Sequence, residues 1–279
     1  MAQIHRNPVQ AGIARLYHYE KFRAEWLTST LRDQKIHCSD PTKLNDPWDC
    51  RPSFDYRRMA EDPQELEALL AFYRKTSTPD LVNHPLRPIW EDRVRNDPEA
   101  LKATLEDLSR QLEFQLSTRR IYCLTPDPCS TLMWSHYAQN HTGVCLEFRV
   151  GNVLFLRARE VVYRTEYPIW VPQDMESTAL EVMLTKSNAW QYEEEFRLVG
   201  TPHGSGHPLE LDGDCLHLPP RALIAVIVGC QGEHDAVSKI VNECAPGVAV
   251  KRAERVPNRY SLSIINPEVV PLAQGSEAL

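Results

Sequence analysis

Two leucine periodicities, each opened by an Asp-Pro pair, divide this chain. Asp62-Pro63 precedes Leu66, Leu69, Leu70 and Tyr73, and Asp97-Pro98 precedes Leu101, Leu105, Leu108, Leu112 and Leu116. An aspartate N-cap followed by proline at the first helical position starts a helix. The three-to-four spacing behind it predicts one apolar face per helix. On either side of this block the pattern shortens to strands, expected at 15–19, 35–38, 121–124, 144–150, 160–164, 193–199 and 260–265. The alternation of apolar and polar residues is plainest in 144–150 and 160–164. Helices are expected at 20–34 through Phe22, Trp26, Thr30 and Leu31, behind Ser130, and at 177–185 with Leu180, Met183 and Leu184 inward. Segments 223–229, 235–244 and 248–251 read as strand-helix-strand, and 79–96, with three prolines, reads as a long loop. This order is neither strictly alternating nor all strand. It predicts an α+β fold with mixed or antiparallel sheets, in one domain over 13–270 with a helical insertion at 60–118.

Composition narrows the class. Apolar residues make up 42%, charged residues 25%, and the net charge is -7, the profile of a globular chain and not of a collagenous, coiled-coil or disordered one. The longest near-continuous apolar stretch, 222–230, is too short for a bilayer, so no membrane association is expected. The first residues lack the apolar core of a signal peptide, and the eight cysteines are read as reduced thiols, which together predict a cytoplasmic protein. Eleven glycines against 21 prolines argue against a glycine-rich phosphate loop. The acidic balance does not support bulk binding of nucleic acid. It is uneven, however. Residues 61–116 hold twelve acids against seven bases, while residues 1–60 hold ten bases against seven acids, which suits an anionic ligand near the first part.

Four clusters concentrate functional side chains. Tyr17-His18-Tyr19 lies on the first strand, with the tyrosines on one face and His18 on the other. Asn45-Asp46-Pro47-Trp48-Asp49-Cys50 is rich in turn formers and polar acceptors beside a tryptophan. In Met133-Trp134-Ser135-His136-Tyr137-Ala138 a helix places Met133, His136 and Tyr137 on a shared face. Adjacent Ser135 and His136 diverge on a helix and no nucleophile-elbow glycines flank the serine, so stacking and hydrogen bonding to a planar ligand fit better than nucleophilic catalysis. Trp190-Gln191-Tyr192-Glu193-Glu194-Glu195-Phe196-Arg197-Leu198, read as a strand, lines Glu193, Glu195 and Arg197 along one face. Buried carboxylates are costly unless paired, and Arg197 is placed to pair them. Cys123, Cys129, His136, His141 and Cys145 share a short window but lack any metal-binding spacing, so no metal is assigned.

These segments, with Gly143-Val144-Cys145-Leu146-Glu147-Phe148 and Arg259-Tyr260-Ser261-Leu262, resemble an uncharacterised bacterial family, a domain of unknown function. Leu16-Tyr17-His18-Tyr19 and Lys43-Leu44-Asn45-Asp46-Pro47-Trp48-Asp49-Cys50 carry the resemblance in the first part. It covers about 15–265, with His18 and Trp48 standing where Lys and Phe are usual. The order of features is also similar to ADP-ribosyltransferases. That second resemblance implies a split-sheet fold of that type and NAD as ligand. It implies His18 or Tyr19 near the adenosine end, Ser135 or Tyr137 at the nicotinamide side, and Glu195, with Glu193 beside it, in the acid position. Cleavage of the nicotinamide–ribose bond passes through an oxocarbenium-like state, which a carboxylate on the ribose stabilises. Aromatic faces hold the ring, and a cation or hydroxyl donors hold the diphosphate.

The expectation is therefore an NAD-dependent ADP-ribosyltransferase or NAD glycohydrolase, acting on protein or nucleic acid in phage defence or toxin action. Its catalytic residues are Glu195 and Glu193. Its ligand is held by Tyr17, His18, Tyr19, Asn45, Asp46, Trp134, Ser135, His136, Tyr137 and Arg197. One alternative is a nucleotide or nucleic-acid sensor that binds without turnover. Another is a metal-dependent nuclease using Asp46, Asp49, Glu193 and Glu195.

Overall fold

The computed structural model describes residues 5–76, 84–168, 170, 175–206 and 209–266. The structure is a mixture of helices and strands. In chain order the strands are β1 (Arg15–Glu20), β2 (Lys35–His37), β3 (Arg120–Leu124), β4 (Val144–Arg149), β5 (Arg159–Glu160), β6 (Val162–Arg164), β7 (Thr185–Ser187), β8 (Phe196–Gly200), β9 (Cys215–His217), β10 (Leu223–Val228), β11 (Ala249–Arg255) and β12 (Leu262–Ile265). The chain forms two compact units. The first comprises Met1–Asn7, His37–Cys123 and Arg157–Leu216, and the second Pro8–Ile36, Leu124–Leu156 and His217–Leu279.

The second unit is built on a five-stranded mixed sheet in the order β1-β4-β10-β11-β12. β4 runs antiparallel to both β1 and β10, β10 and β11 are parallel, and β12 returns antiparallel to β11. The parallel pair needs a crossover, and the helix His234–Cys244 supplies it. That helix packs on the helix Ala24–Asp33. The latter starts four residues later than expected and ends at Gln34, which takes a left-handed conformation. Its buried residues are Leu27, Thr30 and Leu31, whereas Trp26 is half exposed under the Arg23 guanidinium. The alternation expected for 144–150 is absent in burial, since Val144 to Phe148 are all buried. β4 lies between β1 and β10 in the sheet, and the burial of successive residues shows that both of its faces are covered. Glu147 tolerates this because Lys251 lies 2.6 Å and Arg15 3.4 Å from its carboxylate.

The first unit holds the leucine-rich helices. Pro63–Thr76 and Pro98–Ser117 begin at their prolines, with Asp62 and Asp97 accepting from the backbone of Gln64 and Glu99. The long loop expected at 79–96 is in part a helix, Arg87–Asn96, while 77–83 lie outside the described residues. Its signal was hidden because the buried residues are Glu91 and Val94, not an apolar stripe. Glu91 is held by Arg74, Arg87 and Arg95. Leu69, Leu70, Val94, Leu101, Leu105 and Leu108 form one core. The far end of Pro98–Ser117 enters a second core, where Leu112 and Leu116 meet Cys50, Ile121, Trp170, Val182, Met183 and Val199. The helix expected at 177–185 runs Met175–Met183, and Leu180, expected inward, is over a third exposed. This second core also rests on the three-stranded sheet β3-β8-β5 and lies beside the parallel pair β6-β7.

Candidate functional site

The segment Asn45–Cys50 folds as a turn for a local reason. Asp46 Oδ1 accepts the Trp48 N–H at 2.9 Å, and Cys50 has φ 56°. This geometry sends Trp48 outward, 64% exposed, and Asp49 inward, 3% exposed. The second carboxylate oxygen of Asp46 is buried and has no hydrogen-bond partner among the described residues. Asn45 is exposed.

The run expected to be a strand from Glu193 begins instead as a 3-10 turn, Asn188–Glu193. Glu194 is left-handed at φ 46°, and the strand starts at Phe196. Strand alternation is therefore not what brings Glu193, Glu195 and Arg197 together. A shared cation joins the two glutamates, because Lys186, on β7, lies among Glu193, Glu195 and Asp49. Its Nζ is 2.5 Å from Glu193 Oε2, 3.3 Å from Glu195 Oε2 and 3.8 Å from Asp49 Oδ2. The Trp190 ring lies over the same ammonium at 4.8 Å.

Arg197 completes the cluster. Its Nε and Nη2 donate to Glu195 at 2.8 and 2.9 Å, and its Nη1 and Nη2 donate to Asp49 at 2.9 and 2.5 Å. Nη1 also donates to the Met183 carbonyl at 2.7 Å. The guanidinium fork is thus used internally, in two bidentate pairs. All five ionised side chains are buried, and three carboxylates face two cations. Burial alone would push the Glu195 carboxyl up. The charges of Arg197 and Lys186 and the Arg197 hydrogen bonds outweigh it and bring the group down to about 2. Burial would likewise lower Lys186 and Arg197, but the surrounding carboxylates hold both above their ordinary values. Cys50 and Cys123 touch this cluster, and burial pushes both thiols well up, so they are inert.

Beside the cluster the first unit has a cavity of about 280 Å³. Its mouth carries Trp48, Arg51, Arg164, Glu166 and Tyr167, and its floor Trp170 and Lys186. Tyr167 Oη donates to the Arg51 carbonyl, which ties the two sides of the mouth. The Trp170 backbone N–H donates to Ser53 O at 3.1 Å, but its indole Nε1 is buried with no partner among the described residues. A larger cavity of about 670 Å³ lies among the leucine-rich helices, where Tyr73, Trp90 and Ala103 meet Arg87, Arg93 and Asp107. Several of its polar groups are engaged within the protein, Tyr73 Oη donating to Thr104 O, Arg87 pairing with Glu91 and Arg93 with Asp97.

The remaining expected residues lie in the second unit. Tyr19 is buried, donates to Asp127 O at 2.7 Å and packs edge-on against Trp134 at 5.1 Å. Burial, helped by Glu147, pushes the half-buried Tyr17 phenol up to about 12. His18 is half-buried. Trp134 is fully buried and its indole N–H donates to Pro128 O at 2.9 Å. The three residues expected on one helix face differ in exposure. Met133 is buried with Trp134, His136 is exposed and Tyr137 is half-buried. Ser135 Oγ donates to Thr131 O at 2.8 Å and lies 3.1 Å from His141 Nε2. His141 ends a run of three left-handed residues that folds onto Gly229, where a Cβ would lie 2.1 Å from the His141 carbonyl oxygen.

The expected residues thus divide between the units. Asn45, Asp46, Glu193, Glu195 and Arg197 fall in the first, and Tyr17, His18, Tyr19, Trp134, Ser135, His136 and Tyr137 in the second. Sequence reasoning missed Lys186, Arg51, Arg164, Glu166, Tyr167 and Trp170. The signal for Lys186 was a lone base between Met183-Leu184 and Trp190; the others had none beyond aromatic and charged residues in loops. Among the described residues no group of three or more His, Cys, Asp or Glu side chains is arranged to hold a metal ion. No described helix is long and apolar enough to cross a membrane. Residues 133–198 match the model of a family described as a protein of unknown function, DUF2971. No curated protein and no solved structure matches the chain.

Proposed function

We propose that the first unit binds a nucleotide, with NAD the expected ligand, in the cavity of Trp48, Tyr167 and Trp170. The observation that carries this reading is the lining itself, three aromatic rings with Arg51, Arg164 and Lys186 around one concavity. Aromatic faces suit a base or a nicotinamide ring, and guanidinium groups suit phosphate. At about 280 Å³ the cavity sits at the small end of the ~300–1,000 Å³ that ligand sites span, so it takes one nucleotide half with the rest of NAD outside.

ADP-ribosyl transfer or NAD hydrolysis is the catalytic form of this reading. The split-sheet, ADP-ribosyltransferase-like architecture and a role in phage defence or toxin action belong with that form. Its acid was expected at Glu195 with Glu193 beside it. Both Glu195 oxygens accept from Arg197, and Glu193 is held by Lys186. Both carboxylates are almost wholly buried, and neither lines the cavity. The carboxylate that lines the cavity is Glu166. The geometry therefore favours binding without turnover. The nuclease alternative is weaker still, because Lys186 and Arg197 already occupy the space between Asp49, Glu193 and Glu195.

Calorimetry of the full chain with NAD tests binding, and Arg51→Ala and Trp48→Ala are expected to weaken it. Incubation with NAD is expected to release no nicotinamide. Release that falls in Glu195→Gln would restore the transferase form, and release that falls only in Glu166→Gln would move its acid to the cavity mouth. Failure of NAD, nicotinamide mononucleotide and AMP to bind at millimolar concentration overturns the proposal.

A further inference from the structure

We infer that the first unit holds a second ligand site, in which the Arg119 guanidinium binds an oxyanion group, a phosphate or a carboxylate. This site shares no lining residue with the nucleotide cavity, and it stands whether or not a nucleotide binds there.

Three observations carry it. The first is an enclosed arginine that donates to nothing. Arg119 follows the helix Pro98–Ser117, and its side chain is only 12% exposed. A guanidinium has five N–H donors, and a buried charge is costly unless it is paired. Its ion-pair partner among the described residues is Glu176, whose Oε1 lies 3.8 Å from Nη2, beyond hydrogen-bond reach, on a side chain that is 66% exposed. The Nε is shut off inside the protein without a partner. Nη1 and Nη2 have no hydrogen-bond acceptor among the described residues either, and they reach solvent, so an incoming group has access to both.

The second observation removes the ordinary role for a base just past a helix C-terminus, which is to hold the last carbonyls. Arg120 fills that role, donating from Nη1 to Ser117 O at 2.9 Å and to Arg119 O at 2.7 Å. Arg119 takes no part in this cap.

The third is the space around the guanidinium. Arg119 lines a cavity of about 450 Å³ with Gln115, Thr118, Glu176, Thr201 and Ser205. Hydroxyl and carboxamide groups around a single cation suit an oxyanion better than a base or an apolar ring. The planar fork of the guanidinium matches two oxygens of a phosphate or carboxylate. Of the acids nearby, Glu210 is engaged by the Gly206 N–H and by His203. Glu176 is the competitor. It stands exposed in the first turn of the helix Met175–Met183, free to turn to solvent when an anion takes its place beside Arg119.

The test is calorimetric titration of the full chain with inorganic phosphate and, separately, with acetate, at an ionic strength fixed by chloride. One or both are expected to bind saturably at millimolar concentration, and the tighter of the two names the group. Arg119→Met keeps the aliphatic stem, and it is expected to weaken binding at least about tenfold, as the loss of a charge-assisted pair. Arg119→Lys, which keeps the charge without the fork, is expected to fall between the two. Arg51→Ala, in the nucleotide cavity, is expected to bind as wild type does. Without added anion, Arg119→Met is expected to melt no lower than wild type, because it removes an unpaired charge. Added anion is expected to raise the melting temperature of wild type and not of Arg119→Met. Failure of both anions to bind wild type overturns the inference. So does binding that survives in Arg119→Met, and so does binding that is lost in Arg51→Ala, which would place the anion in the nucleotide cavity.

Discussion

Trp134 and Trp170 are both buried tryptophans, one in each unit, and they differ in what their indole nitrogens do. Trp134 sits in the densest run of functional side chains in the sequence, and its N–H is already used by Pro128 O. Its neighbours are similarly occupied, with Tyr19 on Asp127 O and Ser135 on Thr131 O. Trp170 comes from a stretch that drew no attention, and its N–H has no partner among the described residues. Density of chemically capable residues marks a constraint on the fold as readily as a site. What separates the two regions is whether the polar atoms are satisfied from within.

The largest expected effect is at the cluster that backs the cavity. Arg197→Met leaves Asp49 and Glu195 buried and partly unpaired, and is expected to cost about 3–5 kcal/mol in denaturant unfolding. A loss below about 1 kcal/mol would mean that the cluster is open to water. Next comes the tryptophan pair. Trp134→Phe orphans the Pro128 carbonyl and shortens a packed ring, for a loss of about 1–3 kcal/mol. Trp170→Phe removes a donor that bonds to nothing described and costs only ring volume, so it is expected to be the milder change in unfolding experiments without ligand. Equal losses would erase the distinction between the regions.

How much of this could be read beforehand follows the same division. The Asp-Pro helix starts, the strand-helix-strand of β10 and β11, and the Ser130 cap depend on neighbours in sequence, and they appear where they were expected. The helix Arg87–Asn96 is illegible because its one buried apolar residue is Val94 and its arginine–glutamate pairs read as a polar loop. Pairing of Glu195 with Arg197 was legible, but through the wrong geometry. The chain reaches it by a 3-10 turn and a left-handed Glu194, and with a lysine from β7 and an aspartate 148 residues away that no local pattern reports. The cavity was illegible for the same reason, since it joins Trp48 and Arg51 to Arg164, Tyr167 and Trp170 by tertiary folding alone.

Acid sharpens the contrast further. The folded Glu195 carboxyl lies near 2, below its ordinary 4.5, so its contribution to stability is complete above about 4.5 and is lost as pH falls toward 2. The first unit is therefore expected to lose structure in that window. The Trp190 fluorescence, read in a variant with the other tryptophans replaced by phenylalanine, reports it directly because its ring covers Lys186. Glu195→Gln is expected to be less stable at neutral pH but flatter between pH 4.5 and 2. An unchanged acid slope would assign the transition to other carboxylates.

The smallest effect on stability is expected at Trp48, and it is the most informative about function. The side chain is 64% exposed, and its place in the turn is fixed by a backbone N–H bonded to Asp46, which any residue supplies. Trp48→Ala should thus change unfolding by no more than about 0.5 kcal/mol, the usual range for a surface site. A large exposed aromatic ring at the rim of a cavity contributes to binding by stacking, worth about 1–3 kcal/mol per base where aromatic platforms hold nucleotides. The same substitution is therefore expected to weaken NAD affinity roughly tenfold to a hundredfold by calorimetry. A residue whose removal leaves the fold intact and the ligand unbound belongs to the site. One whose removal changes neither is only an exposed tryptophan, and the turn around it would then serve solely to bring Asp49 to Arg197.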